Sequence, residues 1–325
     1  MTGSYLTSDE NPFASLTDGA PEHEPARIAE GQSLADYHAS PEPSRSRLWQ
    51  IVTTSPYEYR YAQRFERRAT PAMVLGSAVD AAVLTPGEFE TQYDRWSAER
   101  AEEAAERLGI PVSDSTAKLL ASGQRKTAAI RSGKLWDAVS AESEARGVTI
   151  LPEDDYAKAI ELRDWIMSRK GVRNLFRNGR AQLSIYYTDE ETGLRAKTRP
   201  DFVVPEKRIV FDVKTTHDLG DLRKPPFKLM RDAMEMGYHL QGAMQVDGAA
   251  AVFGGAPSEW ELHHFWVRTK GAPWARLTRM LPEALAEGRE LCREGLRLLK
   301  KCNESGEWPA PEFAAEDLPW ETRTA

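Results

Sequence analysis

The sequence predicts an α/β protein of α+β organisation, in which a helical N-terminal half surrounds a central mixed β-sheet flanked by helices. Three observations support this prediction. Residues 96–169 are alanine-rich and charged with two Gly/Pro breaks, a pattern that favours several helices. From residue 181 onward, short runs of β-branched and aromatic residues alternate with polar turns, as strands do. The 325 residues are 41% hydrophobic, which is enough for a substantial core.

Residues 1–33 are rich in Ser, Pro, Glu and Gly and have little apolar periodicity, so we predict a flexible arm there. Structure is expected to begin near Leu34, with residues 34–325 forming one domain that carries a helical insertion at about 96–180. Ser44 or Ser46 can cap a first helix through Gln50. The next helices are predicted after Ser55-Pro56, over 73–84, and between breaks at 109–111 and 147–152.

The C-terminal half reads as strands followed by helices. A polar turn at 189–193 separates two predicted strands, and a third, at 209–214, is apolar enough to lie inside a sheet. The predicted strands are 183–187, 194–198, 209–214, 260–269 and 274–280; the predicted helices run from Pro225-Pro226 to Met236, over 238–246 and over 282–302; Trp308, Phe313 and Trp320 are expected to anchor the tail.

Composition narrows the class of protein. No run approaches the roughly 18 apolar residues of a membrane span, and residues 1–20 lack the features of a secretory signal. We therefore expect a cytoplasmic protein. Its two cysteines, Cys292 and Cys302, are too far apart on one predicted helix for a disulfide. Two cysteines also cannot hold a four-cysteine iron–sulfur cluster.

The formal net charge of −7 argues against nucleic-acid binding, because lysine and arginine supply most nonspecific affinity for phosphate. The charge is unevenly distributed, however. Residues 195–231 contain ten basic and five acidic residues, so this segment is locally positive. Either the segment faces a nucleic acid, or it is a solvated charged surface.

The same segment contains a candidate catalytic cluster. Asp201 is expected to end one strand and Asp212 to lie on the next, and a turn at 206–207 would bring the two carboxylates together. Lys214 lies two residues beyond Asp212, on the same face of the strand. Paired carboxylates can hold a divalent cation for phosphodiester hydrolysis, and a lysine can orient water or stabilise the leaving charge. The alternative is an ordinary hairpin with charges on its exposed face.

The motifs Arg199-Pro200-Asp201, Asp212-Val213-Lys214-Thr215-Thr216 and Gly237-Tyr238-His239-Leu240-Gln241 resemble those of the PD-(D/E)xK nucleases, in the branch of RecE, the exodeoxyribonuclease VIII type, and lambda exonuclease. The resemblance extends from about Asp36 to Trp320. It includes Ser44–Leu48, Ser55–Tyr59, Leu75–Val79, Gly306–Pro309 and Leu318–Trp320 in the same order. It implies a restriction-endonuclease-like core.

The resemblance also implies roles for individual residues. Asp201 and Asp212 would bind metal, the Val213 carbonyl would add a ligand, Lys214 would be catalytic, and Gln241 would lie near the DNA or the site. Tyr238 stands one helical turn before Gln241 on the same face, where it either supports the site or is a core aromatic.

The chain departs from the family pattern at three positions. Asp80 stands where the family often has histidine, and either binds metal, favouring Mg²⁺ over Mn²⁺ in an all-oxygen site, or faces water as a helix charge. Gln182 replaces a common glutamate and could support a metal-bound water without adding charge. Gln245 stands where a tyrosine often follows the glutamine, with packing or contact with the DNA strand as its expected role.

Four basic residues are candidates for DNA contact. Arg45 and Arg47 could hold a 5′ phosphate through their guanidinium groups, and Lys197 and Arg199 could contact the backbone near the cut. Each could equally be a surface charge. His217 and His239 flank the motifs and are expected either to support the metal ligands from behind or to be structural.

The resemblance implies a Mg²⁺-dependent nuclease, with Mn²⁺ as an alternative, that degrades linear duplex DNA from its ends in the 5′ to 3′ direction. The 3′ single strands would pass to a RecT-like annealing protein in recombination, in a bacterial or phage-infected cell. A ring-like homo-oligomer, a trimer or tetramer, would thread the DNA. Two alternatives stay open: a catalytically weak DNA-binding accessory protein, and a structure-specific endonuclease of the same superfamily.

Overall fold

The computed structural model describes residues 24–64, 69–124, 133–176 and 178–311. Its helices are α1 (Leu34–Ala39), α2 (Arg45–Thr53), α3 (Pro56–Ala62), α4 (Pro71–Leu84), α5 (Pro86–Gln92), α6 (Ala98–Leu108), α7 (Asp114–Ala121), α8 (Gly133–Glu144), α9 (Glu153–Ser168), α10 (Lys170–Leu175), α11 (Phe227–Glu235), α12 (Tyr238–Phe253) and α13 (Pro282–Ser305). Its strands are β1 (Arg27–Ala29), β2 (Tyr93–Trp96), β3 (Thr149–Pro152), β4 (Arg180–Ala181), β5 (Ser184–Thr188), β6 (Arg195–Thr198), β7 (Phe202–Val204), β8 (Ile209–Thr216), β9 (Glu261–Arg268) and β10 (Ala275–Arg279).

The strands form a mixed five-stranded sheet and two smaller sheets. The five-stranded sheet has the order β10-β9-β8-β7-β4, with β8 and β9 parallel and the other neighbours antiparallel. A second sheet, β1-β5-β6, is antiparallel, and β2 pairs with β3 in parallel. The predicted α/β class, with a mixed sheet flanked by helices, is confirmed.

Several helix starts follow the local chemistry of the sequence. The Ser55 hydroxyl accepts from the Glu58 amide and Pro56 occupies the first turn of α3, as the Ser-Pro pair predicts. Thr70 caps α4 in the same way, through the Met73 amide. Ser44 precedes α2 as predicted, although its side chain makes no capping hydrogen bond.

Helix α12 lies between the two larger sheets and packs along α13. Its neighbours approach closely at glycines. A Cβ on Gly288 of α13 would lie 2.1 Å from the His239 carbonyl oxygen, and one on Gly248 would lie 2.8 Å from Thr198. The largest buried apolar cluster joins α12 to both sheets and to α2, with Leu48, Ile185 and Leu240 at its centre. This packing fixes the position of α12 relative to β8.

Three expectations need correction. The predicted arm already contains β1, which pairs with β5, so ordered structure begins before Leu34; residues 1–23 lie outside the described part. The predicted helical insertion contains a strand, β3, which pairs with β2 at the start of the insertion, more than fifty residues earlier. Asp201 precedes β7 instead of ending a strand. Of the predicted tail anchors, Trp308 stacks on Tyr59, while residues 313 and 320 lie outside the described residues.

No helix within the described ranges is long and apolar enough to cross a lipid bilayer.

Candidate active site

The centre of the candidate site is the β7–β8 hairpin. Phe202 pairs with Phe211 and Val204 with Ile209, and a short 3-10 turn at Pro205–Lys207 joins the strands. Continuing this antiparallel register by one residue places Asp201 opposite Asp212. The Asp201 Oδ2 atom accepts a hydrogen bond of 2.7 Å from the Val213 amide. The hairpin predicted from the spacing therefore brings the two carboxylates together.

Alternate residues of β8 face opposite sides of the sheet. Val213 packs with the apolar residues of α4, whereas Asp212 faces α12. Lys214 lies on the Asp212 side and forms an ion pair with that carboxylate. The Lys214 Nζ atom lies 4.5 Å from the centre of the Tyr238 ring, within the range of a cation–π interaction.

Helix α12 contributes two amide groups to the site. Gln241 and Gln245 are one turn apart and therefore lie on the same face. Their Nε2 atoms both donate to the Asp212 Oδ1 atom, over 2.8 Å and 2.9 Å. Gln241 is thus placed at the carboxylates, as the family resemblance implies.

The parallel pairing of β8 with β9 sets His264 beside Asp212. The His264 Nε2 atom lies 3.9 Å from the Asp212 Oδ2 atom. Burial lowers the pKa of His264 to about 4, because the charged imidazolium loses its hydration there. His264 is therefore neutral near pH 7 and packs against Tyr238 and Trp266.

Helix α4 brings Asp80 to the same site. A Cβ on Gly76 would lie 3.3 Å from the Thr215 Oγ1 atom, so the helix approaches β8 closely one turn before Asp80. The Asp80 Oδ1 atom is enclosed and has no hydrogen-bond partner among the described residues. Burial, together with the charge of Asp201, raises the pKa of Asp80 well above its ordinary value. Asp80 therefore faces the carboxylate pair, and the reading of it as a helix charge facing water is wrong.

The three carboxylates and the lysine influence one another strongly. Burial and the neighbouring Asp212 charge raise the pKa of Asp201 to about 7. Burial alone would raise the pKa of Asp212 too, but Lys214, His264 and hydrogen bonds hold it below its ordinary value. Asp212 and Asp201 in turn hold the pKa of Lys214 above its ordinary value, against the effect of burial. The neighbouring cation and amides therefore favour the ionised form of Asp212, whereas burial and repulsion favour the protonated forms of Asp201 and Asp80.

Among the described residues, no three Asp, Glu, His or Cys side chains stand in a complete metal-ligand arrangement. What the structure offers is the Asp201–Asp212 pair, with the enclosed Asp80 oxygen electrostatically coupled to it. Crowded carboxylates with a hydrogen-bond-free oxygen suit a hard divalent cation, because the cation relieves their repulsion. These residues fit such an ion.

Gln182 is not on a strand. It lies between β4 and β5 with a φ of 52°, and its amide donates to the Asp201 carbonyl oxygen. Its side-chain oxygen accepts from the Arg199 Nε atom over 3.3 Å. Arg199 also donates to the Ser184 hydroxyl and to the Gln32 carbonyl. Gln182 therefore holds Arg199, and Arg199 is bound to protein acceptors.

The prediction that Lys197 contacts DNA is wrong. Lys197 is only 1% exposed, and its Nζ atom donates to the carbonyls of Tyr37 and Ser40 and to the Ser40 hydroxyl. The C-terminal end of α1 and the loop after it cover the lysine, and burial lowers its pKa to about 8. Lys197 joins that loop to β6.

Arg45 and Arg47 lie at the start of α2, both partly buried. The Arg45 guanidinium lies 5.7 Å from the centre of the Tyr238 ring, so Arg45 borders the site. The Arg47 Nη1 atom donates to the Pro41 carbonyl over 2.7 Å. Their contact with a 5′ phosphate stays a prediction. His217 lies beside Thr269, and His239 packs edge-on against Trp49.

Two residues at the site were not predicted to be there. Gln245 was expected to pack or to contact the DNA strand, although its spacing of four from Gln241 already placed it on the same helix face. His264 had no local signal, because its position follows from the pairing of β8 with β9.

A family model described as "PDDEXK-like domain of unknown function" matches residues 58–316, well over half of the chain. Among curated proteins, none matches the sequence. A crystal structure from Eubacterium rectale, described as "Putative exonuclease", shares 15% identity with the chain. The match covers 87% of this chain and 91% of that one with a TM-score of 0.54, which shows a common fold. The chain belongs to this PDDEXK-like domain family, and with it to the PD-(D/E)xK nuclease superfamily.

Proposed function

We propose that this protein is a metal-dependent nuclease that degrades linear duplex DNA from its ends, in the 5′ to 3′ direction. The observation that carries the proposal is the convergence of Asp201, Asp212 and Lys214 at one hairpin, with Gln241 bound to Asp212. The positions of these residues match the family motif, and the chain is a member of the PDDEXK-like family.

Asp201 and Asp212 would hold the cation, Mg²⁺ or Mn²⁺, and Asp80, which is electrostatically coupled to both, would offer a further oxygen. When bound, the cation supplies Lewis acidity and positive charge toward the scissile phosphate. The Val213 carbonyl stays a predicted ligand. The Val213 amide fixes Asp201 in place by donating to its Oδ2 atom.

Lys214 is the group best placed to act on the reacting water or the leaving oxygen. Its ammonium is paired with Asp212 and lies over the Tyr238 ring, so it is oriented before substrate arrives. Its raised pKa keeps it charged at neutral pH, when it can donate hydrogen bonds but cannot accept a proton. Lys214 therefore stabilises negative charge, and proton abstraction would fall to a carboxylate.

The exonuclease assignment draws on two supports. The Eubacterium rectale protein of similar fold is described as an exonuclease. The sequence motifs resemble those of enzymes that act at DNA ends. We further propose that the product strands pass to a RecT-like single-strand annealing protein and that the chain assembles into a ring-like homo-oligomer, a trimer or tetramer. A closed ring would let a locally positive lining bind DNA despite an acidic exterior.

The test uses linear duplex DNA with 5′ phosphates and closed circular duplex DNA, each with Mg²⁺ or Mn²⁺. We expect degradation of the linear substrate alone, with a 5′ label released before a 3′ label. Lys214→Met should reduce the rate by roughly 100-fold or more. The matched control is Lys207→Met, an exposed lysine in the turn of the same hairpin, which should keep the parental rate.

Cutting of the closed circle would instead identify a structure-specific endonuclease. Absence of digestion with either metal would overturn the nuclease proposal and favour a DNA-binding accessory protein. One observation favours that second candidate: Gln182 stands where a glutamate is common, and its oxygen is bound to Arg199. Retarded migration of DNA by an inactive parent protein would support the accessory role.

A further inference from the structure

Gln245 is a buried polar residue whose hydrogen bonding is incomplete. It is 1% exposed, and its Oε1 atom has no hydrogen-bond partner among the described residues. Its Nε2 atom donates to Asp212. A buried carbonyl oxygen without a donor is unfavourable, and an apolar side chain of the same size would avoid it. The side chain is therefore explained by its one contact with Asp212.

The Asp212 Oδ1 atom accepts from two amides at once. Gln241 and Gln245 approach it over 2.8 Å and 2.9 Å. A carboxylate oxygen has two lone pairs, so these two N–H groups occupy both acceptor positions of Oδ1. The other oxygen, Oδ2, forms the ion pair with the Lys214 ammonium and lies 3.9 Å from the His264 Nε2 atom. The ammonium uses one lone pair of Oδ2, and the second lone pair stays available to a cation.

We propose that Gln245 is a positioning residue that, with Gln241, fixes the Asp212 carboxylate by its Oδ1 atom and leaves Oδ2 as the oxygen that binds the cation. This inference rests on the proposed function for the presence of a cation, and it deepens that proposal by assigning one atom of Asp212 to the ion. A carboxylate held by two donors cannot rotate, so its metal-binding oxygen is oriented in advance.

The role differs from ordinary packing in a measurable way. If Gln245 only fills space, Gln245→Met will preserve both the fold and cation affinity, because methionine has nearly the same shape. If Gln245 positions Asp212, Gln245→Met will keep or raise the melting temperature, because it removes an unpaired buried oxygen, and will weaken cation binding. Loss of a second-shell hydrogen bond commonly costs 10- to 100-fold in metal affinity.

The experiment measures Mn²⁺ binding to the full chain by calorimetry, without DNA, alongside the melting temperature. We expect Gln245→Met to bind Mn²⁺ about 10-fold more weakly than the parent while melting no lower. The matched control is Met244→Leu. Met244 is adjacent to Gln245 on α12, and its side chain is buried in the apolar core. Met244→Leu should bind Mn²⁺ with parental affinity.

Parental affinity in a folded Gln245→Met protein overturns the inference. If Gln245→Met does not fold, Gln245→Leu is measured with the same expectations. A parent protein that binds Mn²⁺ but cuts no DNA overturns the proposed function alone, and the Gln245 variants then still decide the inference. A parent protein that binds no Mn²⁺ overturns the inference, and digestion of linear duplex DNA with Mg²⁺ or Mn²⁺ then decides the proposed function separately.

Discussion

Replacing Lys197 with methionine should destabilise the protein strongly and leave its interaction with DNA unchanged. The Lys197 Nζ atom donates to two main-chain carbonyls and one hydroxyl at the end of α1 and in the loop that follows it, and methionine can donate to none of them. An unpaired buried polar group costs about 1–3 kcal/mol. Partial hydration of the loosened loop would reduce the sum, so we expect a loss of about 3–5 kcal/mol in the free energy of unfolding.

Two assays separate this role from a DNA contact. At about 2 °C per kcal/mol for a chain of this size, the melting temperature should fall by roughly 6–10 °C. The salt dependence of DNA binding, measured by fluorescence anisotropy below the melting transition, should keep its slope. A lost phosphate contact would reduce that slope by about 0.9.

The control is Lys224→Met, whose parent side chain is 76% exposed. Its melting temperature should stay within about 1 °C of the parent, as for most surface substitutions. A melting temperature of Lys197→Met equal to that of the parent, or a reduced salt slope, would refute the assignment of Lys197 as a buried tie between the loop and β6.

Three further predictions follow from the same packing. Gly288→Ala should lower the free energy of unfolding, measured in urea, by about 3 kcal/mol or more, because the added Cβ would lie 2.1 Å from a backbone oxygen. The control Gly87→Ala, where nothing lies within 4 Å of the added Cβ, should be neutral or slightly stabilising. Equal effects of the two substitutions would contradict the close approach of α12 and α13. Cys292 and Cys302 are buried, and burial raises the pKa of both thiols. A thiol reagent at pH 8 should therefore label neither cysteine in the native protein and both cysteines after denaturation. Rapid labelling of the native protein would count against their burial. Under the proposed function, Tyr238→Leu should slow DNA cleavage by roughly fivefold, the equivalent of about 1 kcal/mol of cation–π interaction with Lys214. Tyr238→Phe should keep the parental rate; equal loss in both variants would point to the hydroxyl instead.

The core of the site could be predicted because it is local in sequence. The turn after Val204 and the spacing of two between Asp212 and Lys214 specify a hairpin with both groups on one face. The glutamine on α12 followed from the family motif. These contacts depend on elements whose geometry is set within about ten to thirty residues.

The unpredicted parts depend on pairings between distant segments. His264 lies beside Asp212 only because β9 pairs in parallel with β8, across about fifty residues. The alternation of side chains along β6 predicts which face of the strand Lys197 occupies. It does not predict that the chain segment from Tyr37 onward covers that face. Strand β1 was assigned to a flexible arm because three residues give no periodicity, and its partner β5 lies far along the chain.

The junction between α11 and α12 limits how this chain can change in length. Only Met236 and Gly237 connect the end of α11 to the start of α12. Gly237 has a φ of 69°, and a Cβ there would lie 2.5 Å from the Trp49 ring. One residue inserted at this point would rotate the following helix by about 100° relative to the sheet, at 3.6 residues per turn. Gln241 and Gln245 would both leave Asp212, and Gly248 would leave its contact with Thr198. Insertions and deletions are therefore excluded at this junction.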